Sequence, residues 1–177
     1  DAAVKCYERA ISVNPDHAEA HNNLGVTLKE LGQLEDAIKC YEKALVIKPD
    51  YTEAYSNLGN AFKELGQPDA AVKFYEKALA VNPDSAEAYY SLTIAYSNLG
   101  LTFQELGQPD EAIKFYEKAL AIKPDYTEVN YNLGLTLQEL DQLDAAVERY
   151  EKALAVNPDY AEAHNNLDIA LKELSSW

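Results

Sequence analysis

A short turn that recurs along the chain constrains its fold more than any other feature. Asn14-Pro15-Asp16-His17 returns as Lys48-Pro49-Asp50-Tyr51, Asn82-Pro83-Asp84-Ser85, Lys123-Pro124-Asp125-Tyr126 and Asn157-Pro158-Asp159-Tyr160. The prolines stand 34, 34, 41 and 34 residues apart. A fixed period of this size marks one small supersecondary unit copied along the chain, because such a unit buries its apolar side only by stacking on its neighbours.

Each unit divides into two stretches of helical apolar spacing, as at 18–31 and 35–47. Leu31-Gly32-Gln33-Leu34 separates these two, and Leu65-Gly66-Gln67-Pro68, Leu106-Gly107-Gln108-Pro109 and Leu140-Asp141-Gln142-Leu143 are its counterparts. Glycine after a helix accepts the left-handed conformation that closes it, and proline opening the next helix has its backbone angle already set. Asp36, Asp69, Asp110 and Asp144 near the second starts suit free amide hydrogens or the positive end of the helix dipole. The spacing therefore predicts an all-α chain of antiparallel helix hairpins. Ala37 and Ala44, with their counterparts, and Gly25, Gly59, Gly100 and Gly134 predict close helix crossings, since a helical glycine costs about 0.8–1 kcal/mol relative to alanine. Tyr41, Tyr75, Tyr116 and Tyr150, together with Tyr7, recur on the second helices as rings to bury.

Counted by this period, 1–177 is a single repeat domain of ten helices. Residues 1–17 supply a second helix, 18–51, 52–85, 86–126 and 127–160 are complete repeats, and 161–177 supply a first helix. Both ends then read as cut from a longer array, with apolar faces that could pair with another copy. The long repeat writes its Ala-Tyr pair twice, at 88–89 and 95–96. Seven residues turn a helix by about 700° and add about 10 Å, so the packing face is kept while the helix lengthens. One continuous helix over about 86–106 is expected. Its front, with Leu92, packs on the preceding hairpin and its rear, with Leu99 and Phe103, on its own partner, giving an axial step. The alternative is that the added turns offer Tyr89, Tyr90, Ile94 and Tyr96 to a second molecule.

Hydrophobic residues make up 47% and charged residues 25% of the chain, enough apolar material to fold. Thirty acidic against fifteen basic residues give a formal charge of -15, which repels phosphate backbones and disfavours nucleic acid while suiting a basic partner segment. No apolar run approaches membrane-spanning length. Cys6 and Cys40 form no disulfide framework or zinc spacing and read as small core or half-buried residues of a reducing, cytoplasmic compartment. His17, His21 and His164 stand where other repeats carry tyrosine, and read as packing rings. Glutamate pairs such as Glu30 and Glu35 recur with the repeat instead of converging on one pocket, as an acid-base pair must. No phosphate loop, hydrolase elbow or kinase signature is present. No enzyme activity, cofactor or metal is expected.

Ala20-His21-Asn22-Asn23-Leu24-Gly25, then Ala37, Tyr41-Glu42-Lys43-Ala44-Leu45 and Pro49, resembles the tetratricopeptide repeat over essentially the whole chain. The closest flavour is the asparagine-rich type found in the superhelical arms of O-linked N-acetylglucosamine transferases and their bacterial relatives. The resemblance implies a right-handed superhelical solenoid whose first helices line a concave groove that binds an extended peptide or partner protein. Glu19, Asn22, Asn23, Val26, Lys29 and Glu30 would face it in the first complete repeat. Asn23, Asn57, Asn98, Asn132 and Asn166 match a ladder that grips peptide backbone in those arms, and Asn60 joins this set. Thirty-four residues past Asn57 stands Ser91, so the ladder shifts frame to reach Asn98. An asparagine amide both donates and accepts, and can therefore pair with any main chain. Alternatively, these amides bond helix to helix and maintain pitch. The functions implied are a non-catalytic protein-binding module, a structural or self-associating solenoid, or the substrate-recognition arm of a larger glycosyltransferase. Tetratricopeptide subclasses that hold acidic chaperone tails need basic first helices, which this chain lacks.

Overall fold

The computed structural model describes residues 1–176, and they form helices joined by short turns. In chain order these are α1 (Ala2–Val13), α2 (Ala18–Glu30), α3 (Leu34–Ile47), α4 (Thr52–Glu64), α5 (Pro68–Val81), α6 (Ala86–Glu105), α7 (Pro109–Ile122), α8 (Thr127–Glu139), α9 (Leu143–Val156) and α10 (Ala161–Leu174). The fold is an all-α arrangement of paired antiparallel helices, with first helices α2, α4, α6, α8 and α10 alternating with second helices.

The turns between paired helices close as their sequence anticipates. Gly32, Gly66 and Gly107 take positive φ of 76°, 72° and 68°, and the amide of the following glutamine reaches back to a carbonyl of the preceding helix, as from Gln33 to Leu28 at 2.9 Å. Asp141 holds the same place at φ 60°. Asp36, Asp69, Asp110 and Asp144 lie in the first turns of the second helices. Those helices have no side-chain cap, so the carboxylates act through the helix dipole alone. In three of the Pro-Asp turns an asparagine side chain braces the bend, accepting from the Asp16, Asp84 or Asp159 amide at 3.2–3.3 Å.

The chain divides into two compact units, Asp1–Ala95 and Tyr96–Trp177. The division falls inside α6, a 20-residue helix against 13 in α2, α4 and α8. The seven-residue excess is helix, not loop. Its front belongs to the first unit, where Leu92 is buried. Its rear belongs to the second, where Phe103 stacks on Phe115 of α7 at 5.4 Å and Leu99 is buried. Both frames of the duplicated heptad are thus used, one in each unit. Tyr96, expected with Tyr89, Tyr90 and Ile94 on an offered surface, is buried with its ring 6.1 Å from Phe115. A residue seven places after Tyr89 returns to nearly the same helix angle, but it lies two turns further on, where α7 covers it.

Within each unit the helices close over tyrosine. Tyr41, Tyr75, Tyr116 and Tyr150 have no exposed surface, and each lies against the glycine of its partner helix. In the first unit Tyr41 packs with Leu24, Leu28, Ala37, Leu58 and Ala61, bordered by Val4, Tyr7 and Ile11 of α1. A β-carbon on Gly25 would stand 2.6 Å from the Tyr41 ring, which explains glycine in mid-helix. In α10 the corresponding residue is Asp168. Cys6 is exposed, contrary to the semi-buried place expected for it, because the apolar stripe of α1 runs through Val4, Tyr7 and Ile11 and leaves Cys6 beside it. Cys40 is half-buried, and desolvation together with Asp36 and Glu8 raises its thiol pKa.

Candidate functional site

The asparagine positions predicted as a ladder occupy one register on the first helices, two residues before the packing glycine or its counterpart. Their surroundings differ. In the first unit Asn57 donates to Asn22 Oδ1 at 3.0 Å, and Asn22 donates in turn to Glu53 Oε1 at 3.1 Å. Asn22 is fully buried between α2 and α4, so the groove place expected for it is corrected to a packing place. Its position is one residue round the helix from Asn23, which rotates it by about 100° into the neighbouring helix. In the second unit Asn166 donates to the Tyr131 hydroxyl at 3.0 Å. The side-chain amides of Asn23, Asn98 and Asn132 have no hydrogen-bond partner among the described residues, and Asn98 is exposed.

Neighbouring positions complete this face. Asn60 accepts from the buried Tyr75 hydroxyl at 2.7 Å. Tyr116 and Tyr150 make the equivalent bond to Gln104 and Gln138, each at 2.8 Å. The Tyr41 hydroxyl has no partner among the described residues, because the two matching places on α2 hold Val26, which is apolar, and Lys29, which only donates. Desolvation is the first cause that raises the pKa of these four phenols, to about 12 for Tyr75. Lys29 Nζ is bound to Glu64 Oε1 at 3.0 Å. Glu19 is exposed and ion-paired with Lys48 at 3.5 Å; its own backbone hydrogen bond, then Lys48 and His17, hold its carboxyl below the usual value.

On the second unit α8, α10 and the start of α9 enclose an open cleft of 780 Å³. Leu135 and Leu143 supply its apolar lining, Gln138 and Asn166 its amides, and Glu139 and Glu173 its charge. At the α6 insertion, Tyr90 and Tyr89 are 69% and 42% exposed, while Ile94 is half-buried.

The three histidines tie turns to helices. His17 Nδ1 accepts from the Ala20 amide at 3.3 Å, and His21 Nε2 and His164 Nε2 meet the carbonyls of Pro15 and Pro158 at 2.9 and 2.7 Å. Asn130 makes the same link to Pro124, at 3.0 Å. At this register histidine and asparagine therefore do the same work, each bonding the proline carbonyl six residues earlier. Among the described residues no group of three histidine, cysteine or acidic side chains could hold a metal ion, and no helix is long and apolar enough to cross a membrane.

A tetratricopeptide-repeat family model matches residues 50–125 and 90–159, another matches 6–39, and a TPR-repeat model matches 27–66. No curated protein matches the chain. Among solved structures, a crystal structure of MamA is 30% identical with a TM-score of 0.63, the alignment covering 90% of this chain and 89% of that one. YrrB, a TPR protein with an unusual peptide-binding site, is 23% identical, with a TM-score of 0.62 and coverage of 97% and 85%. A TPR repeats protein from Bacteroides fragilis is 17% identical, with a TM-score of 0.69 and coverage of 97% and 90%. The last two bear on the fold alone.

Proposed function

The chain belongs to the tetratricopeptide repeat family, and from that premise we propose that it is a non-catalytic binding module whose first-helix asparagines grip the main chain of an extended polypeptide. The observation that carries this reading is the unpaired state of Asn23, Asn98 and Asn132 at one repeated register. A solvent-accessible amide with no partner among the described residues can donate to a peptide carbonyl and accept from a peptide N–H. Asn57 and Asn166 keep an acceptor oxygen with no partner among the described residues while their nitrogens bond the preceding repeat. Ladder bonding and helix-to-helix bonding are therefore compatible in one residue. The register resembles the asparagine ladder of the arms of O-linked N-acetylglucosamine transferases, and the amide chemistry proposed here is the same whether or not a catalytic domain adjoins the repeats.

Replacing Asn98 and Asn132 with alanine removes two amides without opening a core cavity. Loss of two hydrogen bonds at about 0.5–1.5 kcal/mol each weakens binding by roughly fivefold to a hundredfold. The measurement is binding to a randomised peptide array, with helicity followed by circular dichroism. Unchanged binding at unchanged helicity contradicts the proposal.

A second reading rests on Tyr89 and Tyr90. Two exposed aromatic rings at consecutive positions of the lengthened helix favour a contact surface for a folded partner or a second copy, separate from the asparagine register.

A further inference from the structure

The two units carry the same pairing geometry between successive first helices but differ in charge. Four residues after the packing glycine stand Lys29 in α2, Lys63 in α4, Gln104 in α6 and Gln138 in α8. In the first unit Lys29 reaches Glu64, thirty-five residues on, and neutralises it. In the second unit Gln138 Nε2 reaches Glu173 Oε2, also thirty-five residues on, at 3.4 Å. An amide carries no charge, so the Glu173 carboxylate is left uncompensated. Glu139 stands thirty-five residues after Gln104 and has no hydrogen bond or ion pair among the described residues. In α6 and α8 the cation of this register is replaced by an amide while the anion is kept, and α10 retains a cation there, Lys172.

Both carboxylates line the 780 Å³ cleft, and neither lysine nor arginine is among the residues lining it. Glu139 of α8 and Glu173 of α10 share this cleft with Gln138, which accepts from the Tyr150 hydroxyl. Leu135 gives the cleft an apolar lining, and Asn166 of the ladder register opens into it. The second unit as a whole has fifteen acidic residues and six basic ones, so the field reinforces the cleft. An alkyl chain ending in a cation matches this lining, as the stem covers apolar surface while the head stays with the charge.

We propose that the cleft of the second unit takes a lysine or arginine side chain of the bound polypeptide, its methylenes on Leu135 and its charged head between Glu139 and Glu173. This rests on the peptide-binding reading above and adds a side-chain preference to a grip that otherwise reads only backbone. The ligand supplies the cation that Lys29 supplies from within the first unit.

The test uses the full chain and fluorescence anisotropy with three labelled, end-capped peptides of alternating alanine with lysine, glutamine or glutamate. Because both carboxylates are exposed, each contact is of the weak surface kind, and the lysine peptide is expected to bind about five- to tenfold more tightly than the glutamine peptide. That advantage disappears at about 1 M salt, where charges are screened within about 3 Å. It also disappears in the Glu139→Gln, Glu173→Gln double variant, whose fold is checked by circular dichroism. Gln138→Lys restores the internal cation and reduces the advantage in the same direction. A glutamine peptide that binds equally well, and loses binding on Asn132→Ala, overturns the cation preference and leaves the backbone grip standing. A lysine advantage that survives the double glutamate variant overturns the assignment to this cleft. No binding by any of the three peptides counts against both.

Discussion

Among single residues, the tyrosine beneath each glycine bears most on the stability of the helix pairs. A β-carbon on Gly134 would stand 2.6 Å from Cε1 of Tyr150, a ring with no exposed surface in which to retreat. Overpacking of this kind costs about 1–3 kcal/mol, against a gain of up to about 1 kcal/mol from alanine's helix propensity. Gly134→Ala is thus expected to lower stability in urea unfolding, although alanine is the better helix former. The same burial sets a limit at alkaline pH. Tyrosines whose folded pKa is raised contribute stability that is complete below the unfolded value of about 10 and is lost as pH rises through the folded value, about 12 for Tyr75. The others, pushed up by the same desolvation, strengthen the effect. Absorbance titration of tyrosinate should show these rings ionising together with loss of helical circular dichroism, after the exposed tyrosines have titrated. The tyrosine and glycine partnership was legible because both recur at the repeat period. The burial of Asn22 was not, because Asn22 and Asn23 are the same residue type in adjacent places and only the neighbouring helix distinguishes them. The cationic or neutral character of the residue at Lys29 and Gln138 was visible letter by letter, but its meaning needed the pairing across helices.

At the scale of the element, α6 is where the period breaks and the fold does not. The 41-residue interval and the duplicated Ala-Tyr pair implied a helix lengthened by two turns, and one uninterrupted 20-residue helix is present. This was readable because a heptad nearly preserves helix phase. The fate of Tyr96 was not readable, since phase alone does not say which of two successive partners covers a given turn. Ser97→Pro, in the middle of the element, removes a backbone donor and clashes with the carbonyl four residues earlier, at a cost of about 3 kcal/mol or more. Urea unfolding should register that loss, whereas Ser97→Ala should leave stability nearly unchanged. A proline tolerated without loss would mean that the inserted heptad is held as a loop in solution.

Across the whole molecule, the proposed function gives a partner two kinds of surface, repeated amides on the first helices and an acidic cleft on the second unit. A formal charge of -15 favours basic segments at a distance, through encounter rates that fall as salt rises. The amides act only on contact and are indifferent to salt. The repeat class was accessible from periodicity, whereas which first-helix amides the fold leaves unpaired was not, because that depends on the side chains they meet across helices. If unpaired first-helix asparagines hold peptide main chain, their side-chain amides must respond when peptide binds. Side-chain NH2 resonances of Asn98 and Asn132 can be followed by nuclear magnetic resonance as the alternating alanine-lysine peptide is added to the intact chain. Both resonances should shift and saturate together with the peptide's own amide signals. Saturation of binding with both unmoved, and with shifts confined to Tyr89 and Tyr90, would contradict the account.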